Sequence, residues 1–352
     1  MIPLWSIWIV LLGLRDILAI FEINTFFLTG LICLIQLMHL AMYLMKNNLN
    51  MNNWYFLLLS MLFCTLYNFA TLAIVNIILS IILLKKVPIK KLLFLATFIA
   101  SLKILIWFFS LKLGLLDDSL IIMPKGIGHT LGFSNPNLPG KSFLDFMMII
   151  TVFLLYRFNN RLLLFLFLIP NYLLYLYTMS RTPYYTALLY FLFILYFSRH
   201  SKYKFSRVFV IAIPFILYAT TFIACRVYQK YPILDVVFTT RFSKNSVHIN
   251  RMTILNYMVG LKLPEGPMDS AYLAQLFQGG IISVCIFLFV STKGIFRMSP
   301  KDMRIFIPFI ICIFISGFAE NTFSTFSMST ILFYKILTDQ FEIRKITRRY
   351  LV

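Results

Sequence analysis

Apolar runs long enough to cross a lipid bilayer recur along this chain from one end to the other. A soluble core has no use for so many of them, whereas a bilayer accepts each as one helix of about 20 residues. Of the 352 residues, 61% are hydrophobic and only 12% are charged. The blocks do not alternate as the strands of a transmembrane β-barrel do. The sequence therefore predicts an all-α, polytopic integral membrane protein with a single transmembrane domain over residues 1–352.

About twelve apolar segments are wide enough to span a bilayer when they are tilted or slightly extended. They cover residues 4–21, 26–44, 54–67, 68–84, 88–110, 142–156, 162–178, 184–198, 208–224, 270–291, 304–318 and 325–340. The two segments within 54–84 could instead form one long helix, which would invert the N-terminal part of the topology. We interpret the N-terminus as the first membrane segment, because it has no basic leader and no clear small-residue cleavage site.

The net charge of +20 invites a nucleic-acid-binding interpretation, which the charge distribution argues against. Lys and Arg lie in short clusters between apolar blocks, as they do in cytoplasmic loops. In the twelve-segment topology every cluster falls on one side, so that side and both termini are predicted to be cytoplasmic. The clusters are Lys85, Lys86, Lys90, Lys91; Arg157, Arg161; Arg199, Lys202, Lys204, Arg207; Lys293, Arg297, Lys301, Arg304; and Arg344, Lys345, Arg348, Arg349.

Two long polar stretches are then placed outside the membrane, an outer loop at 111–141 and a large extracytoplasmic loop at 225–269. Shorter outer turns lie at 178–183 and 319–324. Arg181 lies in the first of these turns, where a cation is costly unless it faces a polar cavity or an anion. Its guanidinium could bind two phosphate oxygens through parallel hydrogen bonds. The simpler alternative is that the side chain only extends to the membrane interface.

The large outer loop contains three more arginines, Arg226, Arg241 and Arg251. Lying near apolar helices, they could clamp a diphosphate, or they could be unrelated charges of a solvated loop. We favour Arg241, which follows two threonines and precedes an aromatic residue.

Three further positions on the outer side could act in proton transfer. His129 is a possible proton carrier, although a hydrogen-bonded structural role is the alternative. Asp269 could be a general base for a sugar hydroxyl or simply a helix cap, and Glu320 competes for the same task. Within the next apolar segment, Asp145 lies four residues after Lys141, so we expect the two side chains to pair.

Four short motifs follow one another on the predicted outer side. They are Gly132-Phe-Ser-Asn-Pro-Asn-Leu-Pro-Gly140, Ser180-Arg181-Thr182, Thr240-Arg241, and Asp269-Ser-Ala-Tyr-Leu-Ala-Gln-Leu-Phe-Gln-Gly-Gly-Ile-Ile282. In order and in location they resemble the O-antigen ligase and polymerase superfamily, and within it the Wzy-type polysaccharide polymerases. The resemblance covers roughly residues 125–290, while residues 1–110 match only in being apolar.

The resemblance implies a glycosyltransferase of the bacterial cytoplasmic membrane that polymerises undecaprenyl-diphosphate-linked oligosaccharide repeats on the outer face. The product would be an O-antigen, capsule or exopolysaccharide, and a flippase and a chain-length regulator would be partners. The residues it implies are catalytic Arg181, Arg241, Asp269 and Glu320, with substrate-binding His129, Asn135, Asn137, Ser180, Arg226, Arg251 and Tyr272. The outer side has no Asp-x-Asp pair, so we expect no required divalent metal and no cofactor.

Two alternatives remain open. A ligase of the same superfamily would move finished glycan to another acceptor, but such ligases usually have His where this chain has Asp269. A flippase or secondary transporter would place polar residues near mid-membrane in repeated, broken helices. The main ionisable residues within apolar segments form no symmetric pair of sites; they are Arg15, Asp16, Lys103, Asp145 and Lys335.

Overall fold

A computed structural model describes residues 3–46, 72–123, 126–158, 162–199, 203–231, 233, 241–261, 270–323 and 325–341. Among these residues almost all regular structure is helical, with a single β-hairpin. The elements are α1 (Leu4–Leu18), α2 (Phe26–Lys46), α3 (Leu72–Leu83), α4 (Ile89–Lys112), β1 (Leu120–Met123), β2 (Gly126–His129), α5 (Asn137–Phe158), α6 (Leu168–Thr178), α7 (Arg181–Arg199), α8 (Tyr203–Val227), α9 (Arg241–Asn250), α10 (Ile254–Val259), α11 (Ala271–Arg297), α12 (Pro300–Ala319) and α13 (Met328–Asp339). Short 3₁₀ helices follow α1 at Ala19–Phe21 and precede α6 at Leu162–Phe167.

Seven helices of the described chain are long and apolar enough to cross a membrane. They are Leu4–Phe21, Phe26–Met45, Ile89–Lys112, Asn137–Phe158, Arg207–Val227, Ala271–Arg297 and Pro300–Ala319. The all-α, multi-pass membrane class is confirmed at this level. Twelve spans are not. Of the other five predicted segments, the helices Leu72–Leu83 and Phe165–Thr178 are shorter, and α13 has 12 residues. The segment 184–198 lies in α7, which is not among the seven, and 54–67 lies outside the described residues.

The basic clusters that the structure describes mark one end of the helical bundle, where cationic side chains reach backbone carbonyls of neighbouring elements. These contacts are Lys335 Nζ to Lys85 O (3.3 Å), Arg207 Nη2 to Met298 O (2.8 Å) and Arg297 Nη1 to Phe341 O (3.1 Å). They bring together the ends of α3, α11 and α13 and the starts of α8 and α12. We call this the basic end.

Helices α2 and α3 run parallel. Gln36 Nε2 donates to Ser80 Oγ at 3.0 Å, and further along, the ammonium of Lys86, just after α3, lies 5.2 Å from the Tyr43 ring centroid. The predicted division of 54–84 into two segments falls partly on 54–71, which lie outside the described residues.

The core at the C-terminal half of the chain is built from stacked aromatic rings. Phe287 lies against Phe323 with centroids 4.2 Å apart and planes at 15°, and against Phe333 at 6.1 Å. All three rings are fully buried, so α11, the turn after α12, and α13 are fastened together. Within a bilayer such packing, rather than exclusion of water, is the main attraction between helices.

Helix α11 is broken at Gly279 and Gly280, where the backbone leaves the helical region. Gly280 has φ +61°, and a Cβ there would collide with the carbonyl oxygen of Met258 at the end of α10. The freed polar groups find new partners: Leu261 N donates to Phe277 O at 2.7 Å, and Ser283 Oγ donates to Gly280 O at 2.9 Å. Such replacement is required wherever a helix opens away from water.

Both predicted outer loops contain regular structure. In 111–141, strands β1 and β2 pair antiparallel with Leu120 opposite His129, and α5 begins at Asn137 rather than near 142, because Pro139 is tolerated in a first helical turn. The described part of 225–269 includes α9 and α10. Phe242 and Leu261 from this part pack with Leu273 and Phe277 of α11, so the large loop has its own apolar face.

We expect Gly280→Ala to lower stability by about 1–3 kcal/mol, because the left-handed conformation disfavours a Cβ and the carbonyl of Met258 occupies its place. Gly30→Ala is the matched control, since Gly30 lies in α2 with no atom near its missing Cβ. Thermal unfolding in detergent measures both variants, and equal midpoints for the two would contradict the account of the break.

Candidate functional site

The structure brings the first two sequence motifs into contact. Ser180 is buried, and its Oγ donates to Asn137 Oδ1 at 3.2 Å. A Cβ on Gly140 would lie 3.2 Å from Pro183 Cγ and 3.3 Å from Ser180, so only a small residue lets α5 approach the start of α7 this closely. Met179, with φ +53°, turns the chain between α6 and α7.

A second set of contacts extends this assembly to the turn after α12 and the start of α11. Lys141 Nζ donates to Asn321 O at 2.9 Å, and Ala271 N donates to Glu320 O at 3.2 Å. The Phe242 ring, at the start of α9, packs on Phe318 with centroids 6.2 Å apart. Described parts of all four motifs thus meet at one place, which we call the motif end (132–141, 180–183, 241–242, 270–272 and 317–321). It lies opposite the basic end, because α12 and α13 each connect the two.

The structure describes the side chains of three of the four arginines predicted from the sequence. Arg181, Arg226 and Arg251 are exposed, and within the described residues none of the three forms an ion pair. Arg226 lies over the Phe222 ring at 5.5 Å. Arg241 begins α9, while its side chain, like the whole of Asp269, lies outside the described residues.

His129 and the two asparagines have local partners. His129 Nδ1 lies 2.6 Å from Asp118 Oδ2, and its ring packs edge-on against Tyr177. The other oxygen of Asp118 accepts from Leu131 N at 2.8 Å. Asn135 Oδ1 accepts from Asn137 N at 2.9 Å and so shapes the turn into α5. Asp118 and Tyr177 fix the orientation of the His129 ring, and its role as a proton carrier stays a prediction.

Tyr272 and Glu320 are both buried at the motif end. Tyr272 is fully buried and its hydroxyl donates to Phe314 O at 2.9 Å, so its geometry argues against the predicted contact with substrate. Glu320 is 8% exposed and ends α12, with its backbone joined to Ser316 and Ala271.

Beneath the motif end, ionisable side chains from three helices surround a small cavity of about 40 Å³. Asp16 of α1, Lys103 of α4 and Asp145 of α5 line it together with serines at the start of α13. Arg15 is paired with Asp16 at 2.6 Å and also donates to Phe326 O. Charged groups at this depth are expensive and commonly functional, so we consider this membrane cavity part of the candidate site.

The predicted pairing of Lys141 with Asp145 is wrong. The Lys141 ammonium reaches Asn321 O instead, and Asp145 Oδ1 accepts from Ser329 Oγ at 3.2 Å. Tertiary partners on the turn after α12 and on α13 replace the local i, i+4 contact. The sequence signal for the cavity was present as charges within apolar segments, but nothing in the sequence showed that Asp16, Lys103 and Asp145 converge.

A larger cavity of about 320 Å³ opens beside the outer loop. Its lining includes Glu22, Asp117, Ser119, Phe133 and Ser134. Two carboxylates make this cavity unsuited to a phosphate, whereas carboxylate and hydroxyl oxygens beside an aromatic ring suit a neutral polyhydroxylated group.

No protein-family model, curated protein or solved structure matches this chain. The family resemblance therefore depends on the four motifs quoted from the sequence. Their function stays a proposal, which the geometry of the motif end can support but which these comparisons leave untested.

The packing of α9 on α11 is expected to weaken in acid. His248 packs edge-on against Phe277 with centroids 5.7 Å apart, and burial, with the charge of Arg251, holds the pKa of His248 below its ordinary value. The unfolded chain therefore takes up a proton first as the pH falls below about 6.5, and this contribution to stability, complete above that pH, is lost on acidification. Thermal midpoints between pH 7.5 and 5 should fall less steeply for His248→Gln than for the unaltered protein; identical slopes would contradict this.

Proposed function

We propose that this protein joins lipid-linked oligosaccharide repeats into a polysaccharide at the outer surface of a bacterial cytoplasmic membrane, as Wzy-type polymerases do. The observation that carries the proposal is the chain of contacts that joins 132–141, 180–183, 241–242, 270–272 and 317–321. These segments are far apart in sequence, and four of the five contain residues of the motifs that resemble that superfamily, while the fifth, 317–321, joins them.

The chemistry proposed for this site needs cations. The donor is a glycosyl diphosphate, whose leaving group gains negative charge as the glycosidic bond forms, and fixed cations stabilise that charge by several kcal/mol. Arg181, Arg226 and Arg251 are exposed and have no carboxylate partner among the described residues. Unpaired guanidinium groups on the rim of a membrane protein suit a lipid diphosphate, which they can bind through two parallel hydrogen bonds.

The orientation follows from the two ends. Lys and Arg clusters favour the cytoplasm, so the basic end is assigned inward with both termini, and the motif end outward. Lipid-linked repeats carry their own activated bond, so no nucleotide is required on the outer side. The acidic cavity lined by Glu22 and Asp117 would then accept sugar hydroxyls while the arginines hold the diphosphate.

A second candidate function is transport of a lipid-linked oligosaccharide across the membrane. The break of α11 at Gly279–Gly280 and the charges around the membrane cavity favour it, because transporters use opened helices and intramembrane ionisable groups. A ligase of the same superfamily shares the motif end, and its usual His is absent at Asp269.

Arg181→Lys and Arg241→Lys are each expected to abolish polymer formation while the protein still reaches the membrane, because an ammonium cannot replace a forked guanidinium. Arg157→Lys is the matched control, an exposed arginine at the far end of α5, and should leave polymer unchanged. Gel analysis of surface glycan, with immunoblots of membranes, measures both; normal polymer from either outer variant would remove the catalytic assignment.

Deletion of the gene separates the three functions. Single repeats attached to lipid on the outer face are the expected result and indicate a lost polymerase. Polymer that stays on its lipid carrier would instead indicate a ligase, and repeats that accumulate on the cytoplasmic side would indicate a flippase.

Chelation of divalent metals should leave the reaction intact. We expect purified protein and lipid-linked repeat to form polymer at the same rate with and without EDTA, because the arginines supply the positive charge that a metal would otherwise supply. Loss of activity on EDTA treatment that added Mg²⁺ or Mn²⁺ restores would contradict this expectation.

A further inference from the structure

We propose that Asp145 is the general base of this protein, accepting the proton of the acceptor sugar hydroxyl through one water molecule held in the membrane cavity. This inference rests on the proposed function and replaces the two bases predicted from sequence, Asp269 and Glu320, with a residue inside the helical body.

The cavity has the size and lining for one water molecule. Its volume of about 40 Å³ admits a water molecule but no sugar ring. Ser142, Ser327 and Ser329 line it beside Asp145, so an entering water would find donors and acceptors on several sides. Glu320, by comparison, does not line this cavity.

The carboxylate of Asp145 keeps capacity to accept a proton. Among the described residues it accepts one hydrogen bond, from Ser329 Oγ at 3.2 Å, whereas an ionised carboxylate offers about four acceptor positions. It forms no ion pair with a described residue.

Charged or titratable groups near Asp145 come from α1, α4 and α12 as well as from its own helix, and the α12 residue is Cys312. Lys141 of its own helix, Lys103 of α4 and Asp16 of α1 act on its charge, and α13 contributes Ser329. Asp16 is itself paired with Arg15. The two lysines therefore keep a deeply placed carboxylate from being an isolated negative charge, which a low-dielectric interior would not tolerate.

Helix α5 connects this base to the motif end. Asn137 and Gly140 contact Ser180, which precedes Arg181. Lys141 follows on α5, and its ammonium donates to Asn321 O in the turn after α12. Asp145 lies one helical turn below Lys141, about 6 Å along the axis. A lipid-linked substrate whose diphosphate meets the Arg181 rim can thus extend its acceptor partner toward the cavity past Lys141.

The proposed step is a direct displacement. The acceptor O–H bond breaks outside the cavity and its proton passes to the cavity water, which gives one of its own protons to the Asp145 carboxylate. The acceptor oxygen forms a bond to the anomeric carbon of the donor. The bond between that carbon and the diphosphate oxygen breaks, and its electron pair leaves with the diphosphate. The proton on Asp145 returns to water before the next cycle, so no other reactant is needed.

The experiment compares Asp145→Asn with Asp302→Asn in polymerisation by purified protein, using the single lipid-linked repeat extracted from the deletion strain. Asp302 is the matched control, because its carboxylate also accepts from a serine hydroxyl, Ser299 Oγ at 2.7 Å, but lies at the basic end. We expect kcat to fall about 10²–10⁴-fold for Asp145→Asn with KM little changed, and no loss for Asp302→Asn.

A second variant separates a chemical role from a structural one. Asp145→Ala should regain part of its rate when formate is added, because formate can enter the vacated space and accept the proton. Normal kcat for Asp145→Asn in a preparation where the unaltered protein polymerises would overturn the base assignment and leave the polymerase proposal standing. A lowered rate in both variants that formate does not raise would also overturn it. Failure of the unaltered protein to polymerise the lipid-linked repeat would instead overturn the proposed function.

Discussion

A bilayer interior offers no water to pair with a polar group, and this constraint organises the described structure. Lys335 is 2% exposed, yet its ammonium contacts Asp339 and Lys85 O. The opened turn of α11 is closed by Ser283 and by Leu261 from α10. The partners Lys85 O and Leu261 N come from other parts of the chain than α13 and α11, so these polar contacts also determine which helices are neighbours.

The same constraint separates the two ends of the molecule. At the basic end, cations donate to carbonyls at helix ends, as Arg207 Nη2 does to Met298 O, and these contacts hold the helices in place. Arg181 at the motif end and Arg251 in the large loop are exposed, with no carboxylate partner among the described residues. A cation left without a structural partner retains its capacity to bind an anionic ligand, which is why the proposed chemistry is assigned to that end.

The membrane cavity has both a paired charge and a carboxylate with few partners. Arg15 and Asp16 pair with each other, while Asp145 has a single hydrogen bond among the described residues. The neighbouring charges offset much of the cost of placing a carboxylate below the surface, and the cavity leaves room for one small polar group. A polymerase and a transporter would both use such an arrangement, so experiments on the product, more than the shape of the site, separate them.

The amino-acid sequence by itself determined the membrane class and most positions of the described helices, because these follow from local hydropathy. Ser180 and Asn137 both belong to the motifs selected from the sequence, and the structure shows the two side chains in contact. Only the tertiary structure decided that Lys141 reaches Asn321 rather than Asp145, and that α11 opens at Gly280 to receive α10. Those outcomes depend on which distant segment offers the better partner, and local sequence patterns do not contain that competition.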